Sequence, residues 1–115
     1  HRGLDVLMQR GDLVSVAIQG DFGKPRPALV IQSPLFANHT SVTVLLTTST
    51  LVDAPLMRVT VQASASNGLE KTSQIMIDKA MTFKCEKIGP VLGRVNADEL
   101  TQVERGLAVF LGIAK

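Results

Sequence analysis

Arg26 lies between Pro25 and Pro27, whose rings restrict the backbone on either side of it. A guanidinium on so stiff a segment suits anion binding, because its planar fork of donors matches phosphate oxygens and little ordering entropy is lost. The alternative is an ordinary surface arginine paired with Asp12 or Asp21. Further along, Thr47, Thr48, Ser49 and Thr50 close an aliphatic run with four hydroxyls, which either meet a phosphate or cap a turn. Asp78 ends the apolar run Ile75 to Ile77 and precedes Lys79. An acid there caps a turn or pairs with a neighbouring cation more simply than it acts as a base. His39, in the loop Ala37 to Thr40, reads as a solvated histidine. The chain lacks GxSxG, a Walker loop, HExxH and GxGxxG, so acyl transfer, NTP hydrolysis, zinc proteolysis and dinucleotide binding are without their usual signals.

Composition narrows the field. The chain has 115 residues, 45% apolar, which is enough for one hydrophobic core and too little for two. The one cysteine, Cys85, excludes an internal disulfide and fits a reducing cytoplasm. His1, His39 and Cys85 show no metal-ligand spacing, so neither a metal nor another cofactor is expected. A formal charge of +2 is modest for a nucleic-acid-binding protein, and the chain has no Trp or Tyr and only four Phe on which bases could stack. Nucleic acid, if bound, must be held by cations, hydroxyls and backbone. No apolar run approaches the ~20 residues of a membrane span, so no membrane association is expected.

The elements that must position these residues follow from periodicity. Leu13 to Ile18 alternates as a strand, and two Gly and two Pro make Gln19 to Pro27 an exposed loop carrying Asp21, Lys24 and Arg26. Ala28 to Ser33 reads as a buried strand and Ser41 to Thr48 as a β-branched one. Arg58 to Gln62 and Gln74 to Ile77 are shorter candidates on either side of a polar loop, and Met81 to Val91 holds further strand-like pieces around Gly89 and Pro90. Asn96 and Glu99 form a capping-box pair, after which Leu100, Val103, Leu107, Phe110 and Leu111 recur at helical spacing. Gly106 sits inside that helix, where its missing side chain permits close packing. The predicted fold is α+β and mainly β, a small curled sheet or barrel with a C-terminal amphipathic helix. Met8 reads as the native start, with residues 1–7 a leader and 8–115 a single domain.

Four segments in order, Arg10-Gly-Asp-Leu-Val-Ser-Val16, Arg26-Pro-Ala-Leu-Val-Ile-Gln-Ser-Pro34, Val42-Thr-Val-Leu-Leu-Thr-Thr-Ser49 and Ser73-Gln-Ile-Met-Ile-Asp-Lys-Ala-Met81, followed by a helix closing on Val109-Phe-Leu-Gly-Ile113, resemble the MazF/PemK/Kid family of toxin endoribonucleases. The resemblance spans Met8 to Lys115. It implies an SH3-like barrel of short antiparallel strands, a homodimer, a type II toxin-antitoxin system with a cognate antitoxin, and cleavage of single-stranded RNA such as mRNA. By the same resemblance Arg26, Thr47 and Asp78 take the catalytic positions, with Thr48, Lys24 and Lys79 contacting substrate. Lys79 replaces the usual Gln, Met76 stands where the Kid-like branch carries an Arg, and the loop before Arg26 is short.

The mechanism so implied is metal-independent attack of a ribose 2′-OH on the adjacent phosphorus, giving a 2′,3′-cyclic phosphate and a 5′-OH. Arg26 would stabilise the equatorial oxygens, Thr47 with Thr48 would donate hydrogen bonds, and Asp78 would either orient Arg26 or accept the 2′-OH proton, orientation being favoured because a free carboxylate near phosphate is repulsive. With few aromatic rings, base selection would fall to the loops Gln19 to Pro27 and Ala63 to Lys71. Two other functions fit the same kind of fold. A CcdB-like gyrase poison needs no nuclease site, and an SH3-like interaction module needs the exposed rings this chain lacks.

Overall fold

A computed structural model describes residues 8–20 and 24–114. The expected leader, Asp21 and Lys115 lie outside the described residues. Among these residues six strands and one α-helix follow in order, with short 3-10 turns at Pro34–Phe36 and Cys85–Lys87: β1 (Asp12–Ala17), β2 (Pro25–Val30), β3 (Ser41–Thr48), β4 (Arg58–Val61), β5 (Ser73–Lys84), β6 (Ile88–Arg94) and α1 (Ala97–Phe110). They form one antiparallel sheet in the order β4-β5-β3-β2-β1-β6. The sheet curls until the loop leaving β4 meets β6, where the Arg94 amide donates to the Ser66 carbonyl at 3.0 Å.

The contact between loop and strand is close enough to specify two glycines. A Cβ at position 68, where φ is +71°, would lie 2.2 Å from the Leu92 carbonyl oxygen, and one at position 93 would lie 2.4 Å from the Ser66 carbonyl oxygen. Backbone therefore packs on backbone.

Alternation along the strands supplies two clusters. Leu13, Leu29, Leu45, Val59, Val61, Ile75 and Ile77 join Val103 of α1 in one, while Val14, Val16, Ala28, Val30, Val42 and Val44 form the other on the opposite face. The helix begins as predicted: Asn96 Oδ1 accepts the Glu99 amide at 2.7 Å and Glu99 Oε1 accepts the Asn96 amide at 2.9 Å. A Cβ at position 106 would come within 3.0 Å of Ile77 Cδ1, which accounts for Gly106.

Three expectations are corrected. Leu100 and Leu107 pack on the core beside Val103, but Phe110 and Leu111 are exposed, because the last turn of α1 leaves the sheet behind. The segment Gln74 to Ile77 is the first part of the twelve-residue β5, so Asp78 is not at a strand end. Leu45 faces Ala80 and Thr47 faces Ile75, so two steps along β3 answer five along β5. Asp78 and Lys79 occupy that irregularity, where β5 accommodates consecutive polar residues. Finally, Pro25 to Pro27 belong to β2 rather than to a loop, for a reason that also creates the site.

Candidate functional site

β2 and β3 are paired only where Ala28, Leu29 and Val30 face Leu46, Leu45 and Val44. Beyond Leu46, β3 continues beside β5, with Thr47 opposite Ile75 and Thr48 opposite Gln74. Meanwhile β2 continues beside β1, with Pro27, Arg26 and Pro25 opposite Ser15, Val16 and Ala17. The strands thus part company, and a cleft of about 460 Å³ opens where they separate.

The prolines fit this divergence. A strand residue sends its own N–H and C=O to the same side, and the Pro27 carbonyl points toward β3, where Thr47 Oγ1 donates to it at 2.7 Å. The N–H that proline lacks would therefore also face β3, where no ladder bond is formed, so proline is tolerated. Arg26 faces the other way through its backbone and pairs with Val16. Its half-buried side chain lines the cleft.

Hydroxyls dominate the lining: Ser15, Thr47, Thr48, Ser49, Thr50 and Ser73. Three of them bond to the backbone, Ser73 Oγ by donating to the Lys71 carbonyl at 3.0 Å. Thr47, 3% exposed, commits its proton to Pro27, and Thr48 Oγ1 accepts the Thr50 amide at 3.1 Å. The expected donation from Thr47 to a substrate therefore has a competitor within the protein. Thr47 fixes the residue next to Arg26, and the cleft takes its remaining hydroxyl character from its neighbours.

The facing wall is the loop after β4. Asn67, 4% exposed, ties it together: Nδ2 donates to the Gln62 carbonyl at 2.8 Å, and Oδ1 accepts the amides of Ser64 and Leu69, each at 3.0 Å. The Asn67 amide in turn donates to Ser64 Oγ at 3.2 Å. With Leu69 sunk into the core and Gly68 against Leu92, the next two residues, Glu70 and Lys71, emerge at the cleft. Replacing Asn67 by Ala strands the buried Leu69 N–H and loosens the turn. A loss of about 2–4 kcal/mol is expected, since each orphaned buried group costs about 1–3 kcal/mol. Urea unfolding with an unchanged slope would measure it.

The cleft thus brings together Arg26, Thr47 and Thr48 from the sequence reading, and adds Glu70 and Lys71. Asp78 and Lys79 do not line it; they pair with each other at 3.6 Å, with their side chains 28% and 56% exposed. A neighbouring cation does take the acid, as its sequence position allowed. Lys24 is exposed beside the start of β2 and does not line the cleft either. Asp12, one of the acids considered for Arg26, is buried and accepts from Arg94 Nη1 and, at 2.8 Å, from the Gln9 amide. His39 is exposed, with its ring edge-on to Phe36 at 5.5 Å. Glu70, the carboxylate among the described cleft residues, is not singled out by its sequence context. The available signal was its place within Ala63 to Lys71, the loop expected to select bases.

A curled antiparallel sheet, packed by one helix and carrying a hydroxyl-rich cleft lined, among the described residues, by Arg26, Lys71 and Glu70, defines a small domain suited to a phosphate-bearing strand. Comparison with known proteins makes the class specific. The family model for the PemK-like, MazF-like toxin of type II toxin-antitoxin systems matches residues 9–111. A relative from Mycolicibacterium smegmatis, "Probable endoribonuclease MazF", is 40% identical over 108 residues, covering 93% of this chain and 99% of that one. The chain belongs to the PemK/MazF toxin family. Its fold matches a mycobacterial endoribonuclease solved with its cognate antitoxin (TM-score 0.76, 22% identity, 94% of this chain and 98% of that one). It also matches MazE-MazF from Deinococcus radiodurans (TM-score 0.76, 24% identity, 96% and 100%). The match places the chain in the PemK/MazF branch, not with a CcdB-like gyrase poison.

Proposed function

We propose that the chain is the toxin of a type II toxin-antitoxin system and cleaves single-stranded RNA, mRNA included, by metal-independent transesterification in the cleft between β2 and β3. The observation that carries this reading is the meeting of Arg26, Lys71, Glu70 and the hydroxyls of Ser49 and Thr50 around one opening. The 40% identical relative named as an endoribonuclease supports it.

Arg26 binds the scissile phosphate and stabilises charge on its equatorial oxygens. Guanidinium groups stay charged in proteins, so the role is electrostatic rather than proton transfer. Glu70 accepts the 2′-OH proton as the 2′ oxygen bonds to phosphorus. The bond from phosphorus to the 5′ oxygen breaks, and the departing oxygen takes a proton from water. Lys71, beside Glu70, offsets the repulsion between a carboxylate and the phosphate. Thr47 positions Pro27 and hence Arg26, while Thr48 holds the turn that presents Thr50. Asp78 has no part in bond cleavage on this reading, because its carboxylate is paired with Lys79 away from the cleft. Lys24 and Lys79 remain backbone contacts for RNA outside it.

The partners proposed are the RNA substrate, a cognate antitoxin, as in the antitoxin complexes of the structural relatives, and a second copy of the chain. Residence in the cytoplasm goes with these partners. No helix among the described residues is long and apolar enough to cross a membrane. Incubating the purified protein with a long transcript, with and without EDTA, and mapping 5′ ends tests the reading. Discrete cuts at a short shared motif, unaffected by EDTA and leaving 5′-OH ends, are expected. An intact transcript would overturn it.

A further inference from the structure

The segment Ser49 to Val52 carries two of the cleft hydroxyls, Ser49 and Thr50, yet it belongs to no strand. Its attachment is a side chain. Gln74, 5% exposed on β5, accepts the Val52 amide through Oε1 at 3.1 Å and donates through Nε2 to the Val52 carbonyl at 3.0 Å. One carboxamide thus offers Val52 a donor and an acceptor together, as a neighbouring strand would. The remaining capacity of that group is also used: Oε1 accepts Arg58 Nη1 at 3.0 Å, and Nε2 donates to Thr60 Oγ1 at 3.2 Å. Arg58 Nη1 also approaches the Thr50 carbonyl, at 3.5 Å.

These bonds secure little apolar burial. Leu51 and Val52 are 50% and 44% exposed, so fastening the segment adds little to either core. What the bonds produce is a fixed rim. We infer that Gln74, assisted by Arg58, is a positioning residue for the RNA-cleaving site, holding residues 49–52 in the shape that receives substrate. The inference rests on the endoribonuclease reading. A rim already ordered in the free protein spares bound RNA the entropy of ordering it, and a rim released from the clamp is competent only for the fraction of time it revisits that shape.

The test begins by mapping one cut site with the wild-type protein and preparing a short oligoribonucleotide that contains it. For Gln74→Leu, KM is expected to rise about tenfold with kcat within about threefold, because the competent fraction falls while the reacting groups are untouched. Arg58→Ala, which leaves both bonds to Val52, is expected to raise KM about threefold. It serves as the deciding variant if Gln74→Leu does not fold. Amide exchange gives a readout apart from activity: in Gln74→Leu the Val52 amide loses protection, while the Ile31 amide, bonded to the Thr43 carbonyl at 3.2 Å, keeps it. An unchanged KM in the folded variants overturns the inference, including when kcat alone falls, since that pattern reports fewer folded molecules rather than a looser rim. Failure of the endoribonuclease reading looks different: the wild-type protein then leaves the transcript uncut, while Val52 exchange still reports whether the clamp exists.

Discussion

Arg26→Ala is expected to slow single-turnover RNA cleavage by at least ~100-fold, the scale of losing one preorganised donor at a developing anion. The size follows from how the guanidinium is presented. Pro25 and Pro27 flank it, the Arg26 backbone is paired to Val16 of β1, and the carbonyl that follows is held by Thr47 Oγ1. Little reorganisation is needed when charge builds on the phosphate. Arg26→Lys separates charge from geometry: an ammonium keeps the charge but loses the planar fork, so it should recover only part of the rate. Circular dichroism and urea midpoints should stay close to wild type in both variants, because the side chain is half-buried and outside both core clusters. Near-wild-type cleavage by a folded Arg26→Ala protein would remove Arg26 from the mechanism.

Thr47 and Thr48 were legible in the sequence because they close a strand whose pattern is strong, and Arg26 because the prolines on either side of it mark a stiff segment. Ser41 to Thr48 is β-branched and aliphatic, both of its faces meet a core cluster, and the strand has the bounds its composition predicts. The helix start was legible for a local reason too, since both halves of its capping box lie within four residues. Asp78 is less legible, because the polar pair that suggests a strand end sits in a mid-strand irregularity of β5. Whether two consecutive polar residues end a strand or bulge it depends on the partner strand, which local sequence does not contain. The extent of β2 was hidden similarly. Prolines argue for a loop unless the edge they block is one that needs no ladder, and that condition arises only from the divergence of β2 and β3.

Glu70 belongs to the same class of residue. Its place at the cleft depends on Asn67 closing the loop and on Gly68 meeting β6 in a contact that spans more than twenty residues of chain. Sequence alone marks that loop as polar and as a candidate for base contacts, without showing which of its residues reaches the cleft.

Glu70→Gln is the second large expectation, a fall of about 100-fold in single-turnover cleavage, within the range for removing a general base. The amide is nearly isosteric and Glu70 is exposed, so folding and the Asn67 turn should be unaffected. Two comparisons distinguish a proton acceptor from a structural charge. Binding of an oligonucleotide with a 2′-deoxyribose at the mapped cut site should be as tight or tighter in Glu70→Gln, because the variant removes a negative charge from a phosphate-binding cleft while the probe lacks the reacting hydroxyl. Asp78→Asn, by contrast, should cleave at close to the wild-type rate, because that carboxylate lies outside the cleft and is paired to Lys79. If Asp78→Asn is the variant that loses activity and Glu70→Gln is not, the base assignment reverses, and the acid on the β5 irregularity must reach the substrate by a rearrangement of that strand.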